Sequence, residues 1–485
     1  MSEVILNKMP KKVRTRFAPS PTGYMHIGNL RTALYEYLIA KSKGGDFILR
    51  IEDTDRARYV EDAEKVIYDT LHTVGLHHDE GPDIGGKYGP YVQSERKNSY
   101  LSYAKKLVEL GAAYYCFCPK VENLEENLQS GYKDPCRNLS NHDVKKFLEE
   151  GRPYIIRQKM PASGNTTFKD IVFGDVTFEN KELEDQILIK SDGFPTYNFA
   201  NVIDDHEMAI THVVRGCEYL PSTPKYNLLY EAFGWETPIY IHLPLIMGQN
   251  EDGTVSKLSK RHGAVSFEDL ISMGYLPEAI INYIAFLGWC PESNREIFSL
   301  NELEKEFSPE RISKSPAIFD YKKLNWFNSE YIKSKSDDEF ESLARPYIRS
   351  VTTTADCKKI SILLKTRISR LNEIPEMIDF IKEVPEYDVN IFVNKKSKTT
   401  LENAKKVLQE IKPQLEQLQD WNYSSLHDLL INFASENELK NGTVMWPVRI
   451  AISGKQTTPG GAVEILEILG KEVSLKRIID ALNKL

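Results

Sequence analysis

Two short segments of the 485-residue chain carry side chains suited to holding a triphosphate. The first is Pro19-Ser20-Pro21-Thr22-Gly23-Tyr24-Met25-His26-Ile27-Gly28-Asn29. It joins the alternating stretch Val13 to Phe17 to a run with helical spacing, Leu30, Ala33, Leu34, Tyr37 and Leu38. A helix N-terminus presents unpaired N–H groups and the positive end of the peptide dipole, which suits phosphate. Gly28 permits close approach of a ligand to the backbone, and His26 offers a donor to a phosphate oxygen. A plain strand-to-helix turn with a surface histidine reads the same way, so His-x-Gly decides little alone. The second segment, Lys257-Leu258-Ser259-Lys260-Arg261-His262-Gly263, places three cations around a small serine in a loop predicted after Gly253. Lysines on a mobile loop can close over a triphosphate and stabilise charge as it transfers. Its bland counterpart is a solvated basic turn.

Strand, helix and a second strand through Phe47, Leu49 and Ile51 make a βαβ unit, and so a parallel sheet. Strand signals return at Ile210 to Arg215 and Ile239 to Met247. Ser266-Phe267-Glu268-Asp269 has the pattern of a capping box, and Pro277 suits the first turn of a helix ending near Gly288. Beyond Asn328 the pattern is helical almost throughout, as in Leu401 to Leu418. Between the sheet halves, Cys116-Phe117-Cys118 and Tyr132-Lys133-Asp134-Pro135-Cys136 supply three thiols. With one more donor these would make a tetrahedral zinc site; buried cysteines without metal are the alternative. Six cysteines in this length are no disulfide framework. No apolar run approaches the roughly 20 residues needed to span a bilayer, and the N-terminus lacks a secretory pattern. A cytoplasmic location is therefore expected. The net charge of −8 argues only mildly against a nucleic-acid partner, since binding depends on where charges sit.

The two phosphate-suited segments together resemble the paired signatures of class I aminoacyl-tRNA synthetases, written HIGH and KMSKS. Asn29 departs from the first, and Leu258 and Arg261 from the second. Arg16 to Gly23, Leu49 to Asp55, Asp192 to Tyr197 and Asn201 to His206 resemble the bacterial-type glutamyl-tRNA synthetases. So do Trp446-Pro447-Val448-Arg449 and Gly454-Lys455 in the helical end. The resemblance implies a Rossmann-like α/β catalytic domain, an inserted domain gripping the tRNA acceptor end, and an all-helical anticodon-binding region. It implies activation of glutamate by ATP with Mg²⁺, then transfer to the terminal adenosine of tRNA. His26, Gly28, Lys257 and Lys260 are the implied catalytic residues, and Ser20, Asn29, Glu218 and Ser259 join them around ATP. Arg16 and Arg215 face the side-chain carboxylate of glutamate; arginine's planar fork suits that task. Glu52 with Ser20 holds the ammonium group, and Tyr197 and Asn201 position the α-carboxylate. Glu218 and Tyr219 border the nucleotide and amino-acid pockets. Some relatives bind zinc through a Cys-x-Cys and Tyr-x-x-x-Cys set, which makes Tyr132 the fourth ligand beside Cys116, Cys118 and Cys136, with His142 as fallback.

The implied boundaries are 1–94 and 191–255 for the halves of the catalytic domain, 95–190 for the insertion, 256–328 for a helical connection with the signature loop, and 329–485 for the anticodon-binding region. A monomer is expected. The rival readings are a glutaminyl-tRNA synthetase, whose C-terminal domains are β-barrels, and a tRNA-independent acid adenylyltransferase, which lacks a long helical end. A non-catalytic tRNA-binding module is disfavoured by retention of both signature lysines.

Overall fold

The computed structural model describes residues 12–54, 60, 62–118, 134–250, 252–263 and 265–485, with Lys260 described by its backbone alone. Strands β1 (Arg14–Phe17) and β2 (Asp46–Leu49) flank helix α1 (Ile27–Ser42) and pair in parallel, Arg14 opposite Asp46 and Phe17 opposite Leu49. The sequence alternation suggests one polar face on β1, yet all four of its residues are buried, Arg14 and Arg16 included. Parallel strands are covered on both sides, so the polar positions are satisfied by buried ion pairs instead. Ile51, read as part of the second strand, lies just beyond it in an isolated bridge to Val92. Helix α1 likewise exceeds its sequence pattern. It is buried on nearly all sides, with Arg31 and Glu36 inside as well as Leu30, Leu34 and Leu38.

The chain continues through α2 (Ala63–Thr73), α3 (Lys97–Glu109), β3 (Ala113–Cys116), α4 (Asn141–Glu149), β4 (Ile155–Gln158), β5 (Asn165–Asp170), β6 (Gly174–Glu179) and β7 (Ile187–Ile189). Then come α5 (Tyr197–Glu207), β8 (His212–Gly216), α6 (Thr223–Phe233), β9 (Ile239–Leu243), β10 (Ile246–Gln249) and β11 (Val255–Lys257). Strands β3, β4 and β7 form an antiparallel sheet. A second sheet has the order β6-β5-β9-β8, with β8 and β9 parallel and the β5–β6 hairpin added beside β9. That hairpin falls within the stretch read from sequence as the insertion, and its pairing at Asp170 and Tyr240 carries a residue of the stretch into the sheet. The apolar run Ile239 to Met247 divides in two at Pro244-Leu245. Proline has no N–H for a ladder, and here its carbonyl oxygen accepts from Arg31 Nη2 at 2.5 Å.

The chain falls into two compact units, Met1–Leu270 with Ile280–Tyr321, and Ile271–Ala279 with Lys322–Leu485. The second unit is helical. Its helix Leu401–Gln417 starts in a reciprocal cap between Thr400 and Asn403 and buries Ala404, Val407, Leu408, Ile411 and Leu415. That spacing is one face of a helix, and the face meets Leu430, Phe433, Val448 and Ile478 in a common core. No helix among the described residues is long and apolar enough to cross a membrane.

Candidate active site

The turn between β1 and α1 is built around two glycines. Gly23 has φ +122°, a conformation that side-chain-bearing residues rarely adopt. His26 caps α1 with its own ring, Nδ1 accepting from Gly28 N at 3.0 Å. A Cβ on Gly28 would sit 3.2 Å from that same Nδ1, so glycine keeps the cap intact as well as the backbone open. Because Nδ1 accepts, the proton of the neutral imidazole is on Nε2, which leaves a donor for a ligand. Burial, and then the charge of Lys257, push the His26 pKa below its usual value and favour that neutral form. Ser20 and Asn29 are exposed.

The second signature lies beside the first. Ile27 N donates to Val265 O and Phe267 N to Met25 O, both at 2.9 Å. Ser266 Oγ accepts from Asp269 N as the capping pattern requires, while the Glu268 carboxylate accepts from Met25 N and Thr70 Oγ1. Lys257, predicted in a loop, ends strand β11, which pairs antiparallel with β10. His262 organises the segment. Its Nε2 lies 2.9 Å from Asn250 Oδ1, and its Nδ1 3.1 Å from Ser259 N. A Cβ on Gly248 would come within 2.5 Å of the His262 ring, so that glycine makes room for it. Sequence reasoning quoted His262 without giving it a role. The side chain of Lys260 lies outside the described residues.

Glu52 follows β2 and is buried; its backbone N donates to Pro19 O, tying it to the signature turn. Arg50, next but one, is fully buried and donates to Glu52 Oε1 through Nη2 at 2.9 Å. Arg50 and Glu52 are thus not the surface ion-pair cluster that such a charged run commonly forms; Asp55 to Tyr59 lie outside the described residues. Burial outweighs the nearby arginine charges and pushes the Glu52 carboxyl up to about 7. Tyr197 opens α5, and burial and the Glu52 charge raise its phenol well above the usual range. Its ring is 5.7 Å from that of Tyr219, and Tyr219 in turn lies 5.5 Å from the guanidinium carbon of Arg215. Asn201, one turn along α5, donates to Tyr197 O at 2.9 Å. Glu52, Tyr197, Tyr219 and Arg215 therefore line one region, while Glu218 is exposed just after β8.

Arg16 and Arg215 sit in different electrostatic settings. Arg16 donates from Nε to Asp205 at 2.9 Å, and from Nη1 to Glu36 at 3.1 Å and to Val214 O. Arg50 Nη1 shares Asp205 at 2.7 Å. Burial alone would raise the Asp205 pKa, but Arg16 and Arg50 outweigh it and hold the carboxyl below its usual range. Its neighbour Asp204 accepts from Arg96, Gln93 and Tyr100. Arg215 is equally buried and forms no ion pair with a described carboxylate. Sequence reasoning missed Glu36, Asp204 and Asp205 as partners. Their signal was acidic residues directly beside apolar ones, Glu36 between Tyr35 and Tyr37 and Asp204-Asp205 after Val202-Ile203, which implies buried cations opposite.

The cysteine cluster closes in space. Ligand atoms of Cys116, Cys118, Asp134 and Cys136 all lie within 4.8 Å of one another. Cys118 and Cys136 sulfurs are 3.6 Å apart, and Asp134 Oδ1 accepts from Cys136 N at 2.8 Å. Burial raises the thiol pKa values of Cys116 and Cys136. Asp134, which sequence reasoning quoted without assigning, stands in this group; His142 is exposed on α4 and outside it, and Tyr132 lies outside the described residues. The six cysteines are thiols, with no disulfide among the described residues.

Comparison with known proteins identifies the family. A family model for the catalytic domain of class I tRNA synthetases (E and Q) matches residues 12–326, and one for an anticodon binding domain matches 339–482. A glutamate–tRNA ligase of Clostridium botulinum (strain Loch Maree / Type A3) is 57% identical across 98% of this chain and 99% of that protein. The glutamate–tRNA ligase of Clostridium novyi (strain NT) is 56% identical over 98% of each. A glutamate tRNA ligase from Elizabethkingia meningosepticum, crystallised with its amino acid, superposes with a TM-score of 0.88 at 37% identity, over 98% of this chain and all of that one. The enzyme of Elizabethkingia anophelis gives 0.87. With both family models in register along one chain, and relatives matched from end to end, the chain belongs to the class I tRNA synthetases and, within them, to the glutamate–tRNA ligases.

Proposed function

We propose that the chain joins L-glutamate to tRNA(Glu) in two steps. The α-carboxylate of glutamate attacks the α-phosphorus of ATP, pyrophosphate leaves, and the adenylate then passes glutamate to a hydroxyl of the terminal adenosine, releasing AMP. No protein nucleophile is needed; the protein positions the reactants and stabilises charge. Neutral His26 donates from Nε2 to a phosphate oxygen, helped by the N–H groups around Gly28 and Asn29 at the start of α1. Ser20, Glu218 and Ser259 border the nucleotide, with Mg²⁺ on the phosphates. Lys257 and Lys260 stabilise the charge that moves to pyrophosphate; Lys260→Ala is expected to slow adenylate formation about a hundredfold. Glu52 with Ser20 receives the α-ammonium group, and Tyr197 and Asn201 orient the α-carboxylate.

The observation that carries this reading is Arg215, a buried cation with no described carboxylate beside it. A site of that kind selects a ligand that brings a negative charge. Arg16 assists through Nη2, the nitrogen that its bonds to Asp205, Glu36 and Val214 leave over. Glutamine would bring an amide and leave the charge unanswered. The test is competitive charging of tRNA with glutamate and glutamine. Preferential use of glutamine would overturn the assignment.

The helical second unit reads the anticodon, in keeping with its match to anticodon-binding domains, and the stretch 95–190 grips the acceptor end. The protein works as a cytoplasmic monomer. Three soft sulfurs and one oxygen suit zinc, with Cys116, Cys118 and Cys136 as ligands and Tyr132 or the converging Asp134 as the fourth. Zinc there would serve a structural role, tying Cys116 and Cys118 to Cys136. Metal analysis after a chelator wash should find about one zinc per chain and its loss in Cys118→Ser. A metal-free wild type would leave the cysteines as packed thiols.

A further inference from the structure

The partners of Arg215 are unlike those of the arginines on β1, just after β2 and in the short turn before α3. Arg14 pairs with Asp46 and Glu80, Arg16 with Asp205 and Glu36, Arg50 with Glu52 and Asp205, and Arg96 with Asp204 and Glu207. Arg215 donates from Nε to His242 Nε2 at 3.1 Å and from Nη2 to Thr223 Oγ1 at 2.8 Å. Around it stand the rings of Tyr226, Tyr219 and Tyr240, at 4.6, 5.5 and 5.5 Å from the guanidinium carbon. Each of these partners is neutral when the imidazole is neutral.

The structure fixes that state. Arginine only donates, so His242 Nε2 must accept, and the imidazole proton is on Nδ1. Nδ1 faces Asp170 Oδ2 at 2.7 Å. Asp170 is held in turn by four N–H donors, with Oδ1 accepting from the backbone N of Val172 and Phe173 and Oδ2 from the backbone N and the ring Nδ1 of His242. Both side chains are fully buried. Burial and the Arg215 charge oppose protonation of the imidazole, outweighing Asp170 and Glu218. The β5–β6 hairpin supplies Asp170, and β9 supplies His242, so the parallel pairing of β5 with β9 assembles the relay.

We propose that His242 and Thr223 are positioning residues for amino-acid selection: they aim the Arg215 guanidinium through neutral acceptors and so leave its charge for the ligand's carboxylate. A carboxylate at either position would fix Arg215 equally well but would neutralise it, as Asp205 does for Arg16. An imidazolium would repel it. Nη1, the nitrogen these bonds leave over, is the donor presented to the ligand. The inference rests on the reading of Arg215 as the residue that meets the side chain of glutamate.

The experiment is amino-acid activation by the full-length enzyme with tRNA present, with kcat and KM measured for glutamate, glutamine and ATP. Arg215→Ala, His242→Leu, His242→Gln and Thr223→Val are compared with wild type. His242→Leu is expected to raise the KM for glutamate roughly tenfold to a hundredfold, to reduce the preference for glutamate over glutamine, and to leave the KM for ATP unchanged. His242→Gln, whose amide oxygen is a neutral acceptor, should recover most of the loss. If His242→Leu does not purify folded, Thr223→Val makes the same test by removing the acceptor of Nη2, with a smaller change in the same direction. Equal impairment by His242→Leu and His242→Gln, or normal selection in the substituted protein, would overturn the proposal. If Arg215→Ala alone changes selection, only the positioning role fails; if Arg215→Ala changes nothing, the reading of Arg215 itself fails.

Discussion

Asp205 and His242 both accept hydrogen bonds from buried arginines in one catalytic unit, and they leave those arginines in opposite states. Asp205 closes Arg16 and Arg50 into a network with Glu36 and Glu52. Those bonds tie β1 and the residues just after β2 to α5 and leave only Nη2 of Arg16 over. His242 holds Arg215 without cancelling its charge. The first arrangement resembles the polar core of many proteins, where every charge finds its opposite. The second keeps a desolvation cost unrecovered until a ligand arrives, which makes it a binding device. A buried arginine is therefore informative about function through the charge of its partner, not through burial itself.

This contrast can be broken at either end. The largest effect on stability is expected from Asp205→Ala, which strips acceptors from Arg16 Nε and Arg50 Nη1 together. Removing one partner from a buried ion pair costs roughly 3–5 kcal/mol, read as a lower urea midpoint with unchanged slope. A loss below about 1 kcal/mol would mean that the network is no more important than a surface pair. Arg215→Ala should invert the pattern. Its kcat/KM for glutamate should fall by roughly 2–5 kcal/mol in transition-state terms, with the ratio to glutamine narrowed, while urea stability changes little. An unchanged ratio would make Arg215 a structural residue.

Glu52 sharpens the comparison through pH. Its carboxyl is pushed up to about 7, burial outweighing Arg50 and Arg16. The proposed ammonium contact needs the ionised form, which dominates above that value and is lost as pH falls through it. The KM for glutamate should thus rise on acidification below about pH 7, approaching tenfold per unit once the group is mostly protonated. Glu52→Gln should have a high KM without this limb. A wild-type KM flat from pH 6 to 8, values bracketing that pKa, would remove Glu52 from the ammonium site. The smallest effect is expected at Gly28→Ala. The added methyl at 3.2 Å from His26 Nδ1 pushes on the capping ring, which must give by a few tenths of an ångström, and the weakened cap should cost up to about 1 kcal/mol. It should appear as weaker ATP use with a nearly unchanged glutamate KM. An unaffected KM for ATP would show that the His26 cap is unrelated to nucleotide binding.

The sequence by itself determined the signatures, the βαβ start and the helical end. These are local: prolines and glycines break the chain where a turn must form, apolar spacing of 3.6 marks Leu401 to Leu418, and three thiols sit within one short stretch. It also singled out Arg16, Glu52, Tyr197 and Arg215 by resemblance, while treating the two arginines alike. Only the tertiary structure separated them. Glu36, Asp205 and Arg16 come from α1, α5 and β1, and Asp170, His242 and Arg215 from β5, β9 and β8. Such pairings depend on strand order, and no periodicity within a strand encodes which strand will lie beside it. The same holds for β1, whose alternation does not show that Arg14 and Arg16 are buried against carboxylates. Period sets which side chains share a face; the charge that meets that face is set by elements distant in sequence.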